Sequence, residues 1–203
     1  MTAIIEYGVG NLFSLCSSLE FIGQSAVVTD NPDVIDSAER VILPGVGAFE
    51  DAARKLRDTG MGEIVRRQAA KGKPLLGICL GMQMLLERSF EYGVHEGLGL
   101  IPGDVVSMEP VVPTHFKVPH IGWNALHIKR QSPLLKYTHE GAHVYFVHSY
   151  YGTNCDENTV ATTDYGAELT AIVARDNVYG TQFHPEKSGE VGMCILRAFC
   201  EIK

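Results

Sequence analysis

Apolar positions in the first half of the chain recur with two alternating periods. Ala3 to Glu6, Ala26 to Thr29, Arg40 to Leu43 (ending at Pro44) and Pro74-Leu75-Leu76 are apolar runs of strand length. Between them apolar residues return every three or four positions. Leu12, Leu15, Cys16, Leu19 and Ile22 share one helical face, with Asn11 as N-cap and Gly23 as stop. Phe49 to Arg57, Met61 to Lys71 and Met82 to Arg88 read as further helices. Alternation with short connections predicts right-handed crossovers and a parallel sheet covered on both faces.

The second half is richer in strands. Val105 to Met108, Ala125 to Ile128, Val144 to Val147, Val160 to Thr163, Thr170 to Val173 and Val178 to Phe183 carry the β-branched and aromatic residues of strands. Asp176-Asn177 reads as a hairpin turn, and Val191 to Ile202 as a closing helix with Met193, Leu196, Phe199 and Cys200 inward. No repeat, linker or low-complexity tract interrupts the chain. The expectation is one α/β domain over residues 1–203, mainly parallel, with extra antiparallel strands in its second half.

Composition narrows the class of function. The hydrophobic fraction of 45% and charged fraction of 20% are ordinary for a globular protein. A net charge of -7, with no Lys/Arg cluster beyond two residues, argues against a general nucleic-acid binder. No apolar run reaches membrane-spanning length, and the N-terminus enters a strand at once without a basic region. Cys16, Cys79, Cys155, Cys194 and Cys200 are odd in number, scattered and without a C-x-x-C pair. That suits free thiols in a reducing cytoplasm rather than a disulfide frame or zinc ribbon.

The candidate chemistry begins at Gly77-Ile78-Cys79-Leu80-Gly81. A strand precedes it and a helix follows, so G-x-C-x-G is the cysteine form of a nucleophile elbow. The helix N-terminus beyond the turn favours a thiolate. Near the C-terminus stands His184-Pro185-Glu186, at the end of a strand. Extended residues two apart share a face, so Glu186 can orient the His184 imidazole. Nucleophile, base and orienting acid make a triad. Both segments fall at carboxyl ends of strands, where sites of open α/β sheets lie. The Gly45-Val46-Gly47 turn after Pro44 can aim backbone N–H groups at an oxyanion.

Two other motifs lose on context. His139-Glu140-Gly141-Ala142-His143 matches a zinc-peptidase pattern, but Gly141 and the following strand residues deny it a helix. Gly8-Val9-Gly10 begins like a dinucleotide fingerprint, but Phe13 occupies the third glycine position.

The elbow, extended to Met82-Gln83, and His184-Pro185-Glu186 together resemble the class I (triad) glutamine amidotransferases. Tyr7 to Asn11, Pro44 to Phe49, Pro119-His120-Ile121-Gly122-Trp123-Asn124, His148 to Tyr151 and Thr181 to Ser188 are similar, in order and over the whole chain, to the glutaminase subunits of imidazole glycerol phosphate synthases. The resemblance implies a flavodoxin-like three-layer fold. It implies that Cys79 attacks the glutamine amide, His184 moves the proton, Glu186 orients His184, and no metal or cofactor takes part. It implies oxyanion donors at Leu80 and in Gly45, Val46 and Gly47, and substrate contacts at Gln83, Glu91, Ser149 and Tyr150. It further implies a heterodimer with a β/α-barrel cyclase that consumes the ammonia, facing Asn11, Trp123 and Lys187. With 203 residues there is no length for a synthase domain, so the acceptor site is expected on another chain. Three alternatives remain open: a stand-alone cysteine hydrolase, a silent binding subunit, and an amidotransferase subunit serving another acceptor such as a surface-glycan sugar.

Overall fold

A computed structural model describes residues 1–203. The first half forms β1 (Thr2–Ile5), α1 (Leu12–Phe21), β2 (Ala26–Thr29), α2 (Pro32–Ser37), β3 (Arg40–Leu43), α3 (Phe49–Asp58), α4 (Met61–Ala70), β4 (Leu75–Ile78) and α5 (Leu80–Leu85). There follow β5 (Arg88–Ser89), β6 (His95–Glu96), β7 (Asp104–Ser107), β8 (His120–Ala125), β9 (His127–Ile128), β10 (His143–His148) and β11 (Tyr150–Thr153). The chain closes with β12 (Thr159–Asp164), β13 (Glu168–Arg175), β14 (Val178–Thr181) and α6 (Gly189–Glu201).

The central sheet has the order β2-β1-β3-β4-β14-β13-β12-β9. Its first five strands are parallel, and β13, β12 and β9 extend it antiparallel. Alternate residues feed opposite faces, as the period of two requires. Val41, Leu43 and Leu75 pack with Phe49, Leu56 and Val65 of α3 and α4. Ile42 and Leu76 pack with Leu15, Leu19, Leu196 and Phe199 of α1 and α6. A sheet buried on both faces explains why these strands read as unbroken apolar runs. The flavodoxin-like, three-layer α/β expectation holds.

Several local readings change. The helix expected over Met82 to Arg88 runs from Leu80 to Leu85, and Arg88 instead enters a strand. All six residues of α5 are buried, and Leu86 beyond it, also buried, is already extended. Arg88 meets Asp104 of β7 at 2.8 Å. The strand expected over Ala125 to Ile128 is divided at Leu126 between β8 and β9, which lie in different sheets. Gly122 and Asn124 concealed β8 from a propensity reading. α2 is an additional helix with its own local signals: Asn31 Oδ1 caps Asp33 N at 2.9 Å and Pro32 takes the first turn. Asn11 precedes α1, but its side chain makes no cap bond. The H-E-x-x-H segment runs through a turn into β10 and is not helical.

Two smaller sheets frame the carboxyl end of the central one. β8 and β10 form an antiparallel ribbon; β11, β7, β5 and β6 form the other. No helix is long and apolar enough to cross a membrane.

Candidate active site

Cys79 occupies a turn between β4 and α5 with φ 55° and ψ −112°. A non-glycine residue held there costs roughly 1–3 kcal/mol, which the surrounding structure must offset. The offset is visible in backbone contacts. Cys79 N donates to Thr181 O at 2.7 Å, continuing the β4–β14 ladder one step past its end. A Cβ on Gly81 would lie 1.9 Å from Leu43 O, so only glycine lets the elbow sit against β3. Gly45 is constrained from the other side: its Cβ would come within 2.7 Å of Gly81 N and 3.0 Å of the Tyr7 hydroxyl. That hydroxyl donates to Pro44 O at 2.7 Å, fixing the start of the Gly45-Val46-Gly47 turn against the elbow.

His184 and Glu186 follow β14, the strand beside β4. His184 Nδ1 and Glu186 Oε1 are 2.8 Å apart, both side chains 3% exposed. An extended segment would put both side chains on one face. The backbone instead makes a 3-10 turn over Pro185–Lys187, and the contact closes across it. The turn is tied to the ribbon: His184 N donates to Tyr145 O at 3.0 Å, and Ser188 Oγ donates to His184 O at 2.6 Å. Burial presses the imidazolium down, yet the Cys79 and Glu186 side chains outweigh it and hold His184 above the usual histidine range. His184 is thus a strong acceptor for the thiol proton, with the resulting cation stabilised in place.

Cys79, Leu80, Val46, Gly47 and His184 line one cleft of about 620 Å³ together with Gln83, Glu91, Ser149, Tyr150 and Lys187. As first residue of α5, Leu80 has no intrahelical partner for its N–H. Gly45 does not line this cleft; it lines a smaller recess with Pro44 and Val46. Gln83 Nε2 is committed to Tyr150 O and Gln182 Oε1, both at 3.0 Å, which leaves its carbonyl for a ligand. One Glu91 oxygen accepts from Phe49 N at 2.6 Å. Of the three residues expected to face a partner, Trp123 and Lys187 flank Tyr145, each 6.0 Å from its ring. Asn11 lines a small recess that also touches His184 and Glu186.

Two features escaped the sequence reading. Gln182, wholly buried, donates to Cys79 Sγ at 3.8 Å. The period-of-two argument that paired His184 with Glu186 reaches Gln182 when run backwards. His148 and His120 are buried together, Nε2 to Nδ1 at 3.1 Å. Burial, with the nearby His120 and His184, pushes His148 down to about 3 against an opposing bond to Tyr150 O. Nothing in the sequence marks that pair, because its members are brought together by the β8–β10 register. Cys155, although flanked by the polar Asn154 and Asp156, is 2% exposed. Its sulfur contacts the Thr159 and Thr170 hydroxyls at 3.7 and 3.9 Å.

Comparison with known proteins agrees with this geometry. The family model for glutamine amidotransferase class-I matches residues 3–201. A protein of Caldanaerobacter subterraneus subsp. tengcongensis called imidazole glycerol phosphate synthase subunit HisH is 49% identical, covering 100% of this chain and 98% of its own. The protein of that name from Geobacter sulfurreducens is 48% identical over 99% and 98%. Among solved structures, one described as a glutamine amidotransferase superposes with a TM-score of 0.76 at 18% identity, covering 98% and 97% of the two chains. PurLQS from Thermotoga maritima does so with 0.74 at 22%, covering 98% and 96%. With a thiol, an imidazole and a carboxylate converging where the family's model runs nearly end to end, this chain belongs to the class-I glutamine amidotransferases.

Proposed function

We propose that this chain is the glutaminase subunit of an imidazole glycerol phosphate synthase. The observation that carries the reading is the meeting of Cys79 and His184 on one cleft at the carboxyl ends of β4 and β14, with Glu186 bonded to the imidazole at 2.8 Å. The full-length relatives named above support the choice of acceptor.

In this reading Cys79 Sγ attacks the side-chain carbonyl carbon of glutamine while His184 takes the thiol proton. The carbonyl oxygen becomes an oxyanion, met by Leu80 N–H and by an N–H of the Gly45-Val46-Gly47 turn. His184 returns the proton to nitrogen, the C–N bond breaks, and ammonia leaves a γ-glutamyl thioester. Water then adds with His184 again as base, and the C–S bond breaks to give glutamate and the free thiol. Glu186 holds the imidazole on its Nδ1 side throughout. The Gln83 carbonyl, Glu91, Ser149 and Tyr150 receive the amino-acid end. The whole chain acts as one glutaminase domain, and the cyclase subunit docks over Asn11, Trp123 and Lys187.

Ammonia released without an acceptor is lost to water, so activity should depend on the partner. Gly47 has φ +96°, and peptides flanked by glycine reorient at low steric cost. One orientation of the Val46 peptide presents a carbonyl to the oxyanion, the other an N–H. A lost oxyanion donor costs roughly 10²–10³ in rate. The test is ammonia release from glutamine by the purified chain, alone and with the cyclase subunit and its acceptor nucleotide. Stimulation of about that size is expected, blunted in Val46→Pro without loss of partner binding. Full activity of the chain alone would favour a stand-alone hydrolase. Stimulation only by another acceptor system would assign the chain to that system.

A further inference from the structure

The sulfur of Cys79 has a polar neighbour that none of these steps uses. Gln182 Nε2 donates to it at 3.8 Å. An amide side chain can be turned over without changing shape, so such a donor means something only if its orientation is fixed elsewhere. A chain of bonds fixes it. Gln182 Oε1 accepts from Gln83 Nε2 at 3.0 Å, and the same nitrogen donates its second proton to Tyr150 O at 3.0 Å. A backbone carbonyl only accepts and cannot turn over. Gln83 must therefore present its NH2 group there, Gln182 must turn its oxygen to Gln83, and the Gln182 NH2 group is left facing the sulfur. His148 Nδ1 lies 2.9 Å from the same carbonyl and holds it from the other side.

We infer that Gln182 is a further catalytic residue, whose side-chain N–H stabilises the Cys79 thiolate and is aimed there by Gln83 and the Tyr150 carbonyl. The inference rests on the proposed role of Cys79 as nucleophile. A hydrogen bond to an ionised acceptor is roughly twice as strong as one to a neutral group, so the amide favours thiolate over thiol. The opposite contact, Cys79 Sγ to Val147 O at 4.0 Å, serves only the thiol, because a carbonyl cannot donate to an anion. The amide acts twice in the cycle. It raises the fraction of attacking thiolate, and it meets the charge that returns to sulfur when the thioester C–S bond breaks.

The experiment follows the rate of Cys79 alkylation by iodoacetamide against pH, with the cyclase subunit bound. Gln182→Met keeps chain length and removes the donor. Its midpoint should rise by about one pH unit, a tenfold smaller thiolate fraction near neutrality. Its kcat for glutamine should fall about tenfold with KM little changed. Gln83→Met, which frees the Gln182 amide to turn, should shift the midpoint the same way by less. An unchanged midpoint in folded Gln182→Met overturns the inference. If that variant does not fold, an unchanged midpoint in Gln83→Met does so. Failure of glutamine to protect Cys79 in the unaltered protein would instead overturn the role of Cys79 itself.

Discussion

Two buried histidines face the same cleft, and their surroundings shift them in opposite directions. His184, on the turn after β14, is desolvated, but it lies between the Cys79 sulfur and a carboxylate, whose anionic forms favour its cation. His148, at the end of β10, touches a backbone carbonyl and the ring of His120, and neither repays the desolvation of a charge. Burial is similar; the partners differ. The lesson is that depth sets the stakes of a charge while the facing atoms decide its sign. One histidine is thereby suited to accept a proton, and the other to hold a strand end still.

The largest expected separation between the two corners is in activity. His184→Ala should lower glutamine turnover by about 10²–10⁴, measured as ammonia release in the stimulated complex. Cys79→Ala should abolish it while externally supplied ammonia still supports the cyclase. His148→Asn, which keeps a donor for Tyr150 O, should cost less than tenfold. Comparable losses at His184 and His148 would erase the distinction. Glu186→Gln comes next, with a loss smaller than that of His184→Ala because it disturbs only the position and charge of the base.

Stability against pH sharpens the same contrast. The folded-state value of His148 lies below its unfolded value, so the unfolded chain binds the extra proton. Its contribution is complete above about pH 6.5 and is lost as pH falls towards about 3, at up to about 1.4 kcal/mol per unit. His184 works the other way: its contribution is present below about pH 6.5 and is lost as pH rises through its elevated value. Urea midpoints of His148→Asn should therefore fall less steeply with acid than those of the unaltered protein. Equal slopes would mean that His148 is not kept neutral by the fold. The smallest effect belongs to Cys155→Ala, which leaves the cleft untouched. It should cost roughly 1 kcal/mol, or about 2–4 °C in melting temperature, with unchanged activity.

How legible each part was follows from how local its causes are. The parallel half could be read because each strand is buried on both faces and each helix carries its own period. The elbow could be read because its glycines are demanded by contacts within a few residues of Cys79 and by one neighbouring strand. β8 could not, since Gly122 and Asn124 are poor strand formers and the ribbon exists only by pairing with β10. The burial of Cys155 has no local signal, because its flanking residues, Asn154 and Asp156, are polar while its own side chain turns into the core.

The sequence by itself determined the fold class and marked a candidate nucleophile with residues able to serve as its base and acid, because those depend on period, spacing and residue type. Only the tertiary structure decided which way the Gln182 amide faces and which histidine is pushed towards its neutral form. Those outcomes depend on atoms far apart in the chain: a carbonyl at Tyr150 for Gln182, and the His120 ring for His148. A hydrogen bond is set by the group directly opposite, and that group is chosen by strand order and register, which no local pattern encodes.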